Sequence, residues 1–199
     1  MSAMQSSIGF GGALRTQYIP AQRVSPVWKV KNLQNVWPGV WRHQLALFTK
    51  SNHMLGSLKA RLFKADGRVI DYGLISTRLV TTAFCELMVD QLITETSVWG
   101  DFKYHDSGVG VTGANITDVD IETTDGESRV AGTQVESSSV IYESVGTIAY
   151  TTTKSITEHG LFNASTSVTL MDRHTFTAIG VENGDSIQFT YDLTCTAGG

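Results

Sequence analysis

The sequence predicts an all-β fold: a β-sandwich of jelly-roll type, with one helix, preceded by an extended N-terminal arm. Three observations predict it. Charged residues make up only 17% of the 199, 19 residues are Gly, and Thr and Ser are abundant; that balance suits sheets and turns better than helices. From Arg129 onward short strand-like runs recur, separated by Gly, Asn and Ser, the spacing of a sandwich or barrel. Finally, Ile187, Phe189, Tyr191, Leu193 and Cys195 alternate with Ser186, Gln188, Thr190, Asp192 and Thr194, the period-two pattern of a half-buried strand.

That pattern follows Glu182-Asn183-Gly184-Asp185. Asn-Gly favours a two-residue type I′ turn, because both central positions need positive φ. The predicted hairpin sets Gly180 opposite Ile187, Ala178 opposite Phe189 and Phe176 opposite Tyr191, so that the rings share one face. It forms the edge of the core, and His174 falls opposite Leu193 as a structural histidine.

The chain divides near residue 57, into an arm (1–57) and a sandwich (58–199). Met1 to Gly12 is small and flexible in composition. Pro20 and Pro26 hold their neighbours extended, and Pro38-Gly39 reads as a turn. Trp28, Trp37 and Trp41 are large apolar anchors, with Arg23, Lys29, Lys31 and Arg42 supplying charge. Trp and Arg dominate interface energies, so these seven are the candidate partner-binding residues. The competing reading makes the tryptophans caps on the domain's own core. Stacking on single-stranded nucleic acid is the weaker match, because the aromatics do not alternate with cations across a platform.

The net charge of −4 hides a split. Residues 1–78 hold eleven Lys and Arg against Asp66 and Asp71, whereas residues 79–199 hold four against seventeen acids. A basic front suits an acidic partner.

In the body, Lys59 to Phe63 and Arg68 to Ser76 read as strands around an Asp66-Gly67 turn. Leu79 to Thr94 is the one predicted helix, with Leu79, Ala83, Phe84, Leu87, Met88 and Leu92 on one face. Trp99 to Val109 resumes β structure, and Gly110 to Ser128 reads as a solvated acidic loop. Its acids lack the EF-hand order of ligands. Further strands are predicted at 130–137, 139–145, 147–154, 156–162, 173–179 and 186–195.

No chemistry stands out. His43, His53, His105, His159 and His174 make no metal-ligand spacing, and no GxSxG, GxGxxG or P-loop pattern is present. Glu158-His159-Gly160 offers a base without a nucleophile, and the pairs Asp118/Asp120 and Glu182/Asp185 read as solvated turn acids. The expectation is a non-enzyme with no cofactor, metal or catalytic residue. Cys85 and Cys195 read as buried free thiols in a reducing compartment. Neither a membrane span nor a secretion signal is seen. Without such a signal, the acceptor patterns at Asn115 and Asn163 carry no weight.

Several runs, in order, resemble a family of structural proteins of tailed bacteriophages. They are Asp101-Phe102-Lys103-Tyr104-His105-Asp106-Ser107-Gly108, Gly132-Thr133-Gln134-Val135-Glu136, Ile156-Thr157-Glu158-His159-Gly160-Leu161-Phe162, Leu170-Met171-Asp172-Arg173-His174-Thr175-Phe176 and Asn183 to Leu193. The resemblance covers about residues 68–199 and not the arm. It implies a small virion component, here a capsid cement or decoration protein. Such a protein resembles a jelly-roll sandwich clipped to the outer capsid face. The implied partner is the major capsid protein, with a homo-dimer or homo-trimer body, no membrane, and nucleic acid not expected. Assembly would take place in the bacterial cytoplasm. A tail or head–tail connector component is the alternative. A receptor- or carbohydrate-binding module, with Trp99, Tyr104 or Tyr191 in an open groove, is the second alternative.

Overall fold

The computed structural model describes residues 4–7, 15–18, 20–49, 53–93, 101–166 and 169–196; the expectation for Trp99 lies outside them. The elements run β1 (Met4–Ser7), β2 (Arg15–Tyr18), β3 (Gln22–Arg23), α1 (Pro26–Thr49), β4 (His53–Phe63), β5 (Val69–Leu79), α2 (Thr82–Ile93), β6 (Tyr104–Gly108), β7 (Val130–Ala131), β8 (Thr133–Ser138), β9 (Ile141–Ala149), β10 (Lys154–Phe162), β11 (Leu170–Val181) and β12 (Ser186–Thr196). A six-stranded sheet, β3-β5-β4-β12-β9-β8, faces a four-stranded sheet, β11-β10-β6-β7, and β1 pairs with β2. The fold is an all-β sandwich, as the composition and alternation predict.

The core lies between the two sheets. Leu58, Ile75, Ile148, Ile187, Phe189 and Tyr191 from one meet Ile156, Leu161, Met171, Phe176 and Ile179 from the other. The rings of Phe176 and Phe189 stand 6.2 Å apart across the interface. The alternation of β12 is as expected through Leu193, whereas Cys195 is exposed and Cys85 half-buried, not the two buried thiols expected.

The predicted hairpin is not formed. Gly184 does adopt φ +85°, and Asp185 N–H donates to the Glu182 carbonyl at 3.0 Å. The turn, however, passes the chain from one sheet to the other: β11 pairs with β10, and β12 inserts between β4 and β9. Asp185 decides this. Its buried carboxylate accepts from Lys64 Nζ at 2.6 Å, Ala65 N–H at 2.8 Å and Glu182 N–H at 2.8 Å. It thereby pins the corner to the β4–β5 turn. An Asn-Gly dipeptide specifies a tight turn but not which strands flank it. The strand expected at 147–154 is likewise split, β9 ending at Ala149 and β10 starting at Lys154.

The second correction concerns residues 26–49, which are helical and not extended. Ser25 caps the helix, its Oγ accepting from Trp28 N–H at 3.2 Å, and Pro26 occupies the first helical position, where its missing N–H costs nothing. Pro38 sits inside the helix. Gly39 beside it allows close approach to β5: a Cβ there would lie 2.5 Å from the Thr77 Cβ. Pro38-Gly39 is therefore a contact point and not a turn. Met4–Ser7 is likewise a strand and not loose chain. The predicted helix is α2, capped by Thr81, whose Oγ1 accepts from Phe84 N–H. Leu79 belongs to β5, and Leu92 is exposed.

The acidic loop after β6 is not solvated throughout. Buried Arg173 donates to Glu158 at 2.7 Å, Asp118 at 3.0 Å and Glu122 at 3.2 Å. Glu158, fully buried, also accepts from Gly110, Glu122 and Thr123 N–H groups. The loop is thus fastened to the four-stranded sheet, and Glu158 has no capacity left for base chemistry.

Asn32 carries the seat of α1. Its Nδ2 donates to the Ile75 carbonyl at 2.7 Å, and its Oδ1 accepts from Thr177 N–H at 2.8 Å. Asn32→Ala leaves two backbone groups unpaired, so we expect a loss of about 1–3 kcal/mol in urea unfolding.

A histidine layer crosses the core. His105 Nδ1 lies 2.9 Å from His159 Nε2, and His105 Nε2 lies 2.9 Å from Ser144 Oγ. Burial pushes the His105 pKa down to about 3. It also pushes His159 well below its ordinary value, with His105 and His174 adding to the effect. Below the unfolded value of about 6.5, the unfolded chain takes up protons that the native core refuses. Stability is therefore complete above that pH and falls as pH drops towards 3. The unfolding free energy from urea titration should decline from pH 7 to pH 5, with a slope approaching ~1.4 kcal/mol per pH unit per histidine, and the midpoint with it. A flat midpoint would contradict neutral burial.

Candidate functional site

Helix α1 is amphipathic in the inverted sense. One turn takes 3.6 residues, so positions nine apart lie on opposite faces and positions four apart lie nearly in line. Trp28 and Trp37 are nine apart; Trp37 and Trp41 are four apart. The structure follows this geometry. Trp28 turns inward, its Nε1 donating to the Ala178 carbonyl at 3.0 Å and its ring meeting Tyr72 edge-on at 4.8 Å. Trp37 and Trp41 turn outward, 61% and 60% exposed.

Apart from Trp28, the inward face is mostly polar or small. Asn32 and Gly39 are buried, Thr77 Oγ1 donates to the Val36 carbonyl, and His43 Nδ1 meets His53 Nε2 at 2.6 Å. The outward face carries Val30, Leu33, Trp37, Trp41, Leu45 and Phe48, all exposed, Phe48 by 86%. Their steps of 3, 4, 4, 4 and 3 residues bring the stripe back into line after five turns. It runs about 27 Å along the helix, at 1.5 Å per residue. A surface helix ordinarily turns such a stripe into the core. A contiguous exposed patch of this kind marks an interaction site.

Cations flank the stripe. Lys29, Lys31 and Arg42 are exposed, and α1 contains no Asp or Glu. Arg23 lies apart, on β3, opposite Asp71 in the register with β5. Among the described residues none of these four joins a salt bridge. The other basic residues of the front half mostly do: Lys59 with Asp192, Arg61 with Asp71, Lys64 with Asp185 and Arg68 with Asp66.

Of the seven sequence candidates, Trp37, Trp41, Lys29, Lys31 and Arg42 share the exposed surface of α1. Trp28 is corrected to a half-buried part of the body. Val30, Leu33, Leu45 and Phe48 were not among the candidates, although their helical spacing is legible once Ser25-Pro26 is read as a helix start. Among the described residues no cluster of His, Cys, Asp or Glu could hold a metal ion, and no helix is long and apolar enough to cross a membrane. Comparison with protein-family models, curated proteins and solved structures finds no match.

The two faces of α1 make opposite demands on stability. Trp28→Ala removes packing and a hydrogen bond, and should cost about 2–3 kcal/mol. The double change Trp37→Ala/Trp41→Ala should leave stability within about 1 kcal/mol. Urea unfolding of both variants checks the assignment.

Proposed function

We propose that this chain is a non-enzymatic structural protein of a tailed-bacteriophage virion, which binds and stabilises the capsid by noncovalent contacts to the major capsid protein. The phage assignment rests on the motif runs between Asp101 and Leu193. The docking reading rests on one observation, the outward apolar stripe of α1. A stripe of six large apolar side chains facing water has a standing cost of solvation that a partner surface removes. Trp37 and Trp41 lie near its middle, where binding energy concentrates.

The body suits this task. Arg173 and Glu158 fasten the long loop, and Asp185 fastens the sheet corner, so α1 is presented on a rigid frame and little ordering entropy is lost on docking. A protein that binds the assembled lattice and not its free subunits stabilises the lattice by mass action. Removing residues 1–42 would take Asn32 and Trp28 out of the body, so point substitution on the outer face is the cleaner test.

Trp37→Ala/Trp41→Ala, folded as above, should bind preformed capsids at least ~30-fold more weakly than wild type in co-sedimentation. Wild-type occupancy by the variant would sink the docking reading. The copy number per particle separates locations. Cement predicts on the order of hundreds of copies, and a connector ring about a dozen.

A further inference from the structure

Arg78, on β5 beside α1, forms no salt bridge among the described residues. Its Nη1 donates to the carbonyls of Asn35 at 3.3 Å and Thr77 at 3.2 Å, and its Nη2 to Thr175 Oγ1 at 3.1 Å. All three acceptors are neutral. Nε is buried and donates to nothing, and among the described residues no carboxylate forms a salt bridge with the guanidinium. A cation desolvated in this way is costly until an anion reaches it. Burial accordingly pushes its pKa down; Asp172 opposes this, and Arg42 and Arg173 reinforce it. Asp172 accepts a hydrogen bond from the Tyr191 hydroxyl at 3.3 Å and forms no salt bridge with Arg78.

Arg78 opens onto a cavity of about 310 Å³, lined by Gln34, Asn35, Thr157, Thr175 and Thr177, with the Gly110 backbone as a wall. The carboxylates on that wall are compensated: Glu158 and Glu122 are both bound by Arg173, and Glu122 also accepts from Thr112. The cavity therefore combines a half-buried cation, neutral hydroxyl and amide groups beside the apolar Val111 and Phe176, and no carboxylate in its lining. Along α1, Lys31, Asn35 and Arg42 are spaced by four and seven residues and share the flank next to it.

We propose that this cavity is an anion-binding site that takes a carboxylate, supplied by an acidic side chain of the partner that covers α1. A single guanidinium among neutral donors matches one negative charge. A phosphate dianion or a nucleic-acid backbone would require further cations within the cavity. The source of the carboxylate rests on α1 being the docking surface; the site itself does not.

The test uses full-length, nitrogen-15-labelled protein and follows the Arg78 Nε–H signal. Sodium acetate is titrated against sodium chloride at equal ionic strength, with inorganic phosphate as a second arm. Acetate should shift the signal saturably, with half-saturation below ~100 mM. Arg78→Gln should abolish acetate binding, read from the backbone amides of Thr175 and Thr177. Arg42→Gln, at an exposed position that does not threaten folding, should weaken binding about threefold. An acetate response no different from chloride overturns the site, as does saturation by phosphate alone. Capsid co-sedimentation then tests the source. A threefold or greater loss with Arg78→Gln supports a partner carboxylate in the cavity, and unchanged binding rejects it. If Trp37→Ala/Trp41→Ala still fills capsids while acetate still moves Arg78, the docking reading fails and the anion site stands.

Discussion

The architecture depends on a polar attachment where an apolar one would be ordinary. Asn32 reaches from α1 to Ile75 on the six-stranded sheet and to Thr177 on the four-stranded one, and so ties together the neighbouring margins of the sandwich. Because hydrogen bonds and close backbone approach at Gly39 hold the helix, its inward face has no need of large hydrophobes. Trp28 apart, the large hydrophobes are on the other side. Helix orientation normally follows the hydrophobic effect. Here directional bonds from Asn32, Thr77 and Trp28 set it, and the outcome is a water-facing row of large apolar side chains on a helix that carries no acidic residue.

The strands were legible where periodicity is a local property. The β12 alternation and the helix after β5 follow from spacing alone, because each buries one face against whatever lies opposite. What spacing does not contain is the identity of that opposite element. The Asn183-Gly184 turn is common to a hairpin and to a crossing between sheets, and only the buried Asp185, bonded to Lys64 and Ala65 more than a hundred residues earlier, selects the crossing. Helix α1 was concealed differently. Pro26 and Pro38 read as extended-chain signals, yet the first occupies the tolerated N-terminal position behind the Ser25 cap. The outward stripe was visible in the residues but meant nothing while the stretch was taken as extended. The Arg78 cavity was beyond reach, since it joins α1, β5, β11 and a loop.

The loop acids show how composition misleads about solvation. Asp118 and Glu122 belong to a polar run, and on sequence they face water. Arg173, four per cent exposed, draws both towards Glu158. An arginine this deep is tolerable only with its charge matched, so it organises the loop around itself. Such a network favours a single arrangement of the loop.

The interior position of β12 has a consequence for biosynthesis. Residues 53–63 and 141–149 are made long before residues 186–196, yet the latter are what joins them. Until then the two partners expose unpaired edges and the hydrophobic side of an incomplete sheet. Closure of the sandwich therefore waits for that strand, and is governed by contacts far apart along the chain and slow for that reason. The two halves of the six-stranded sheet therefore stay separate until this strand is delivered.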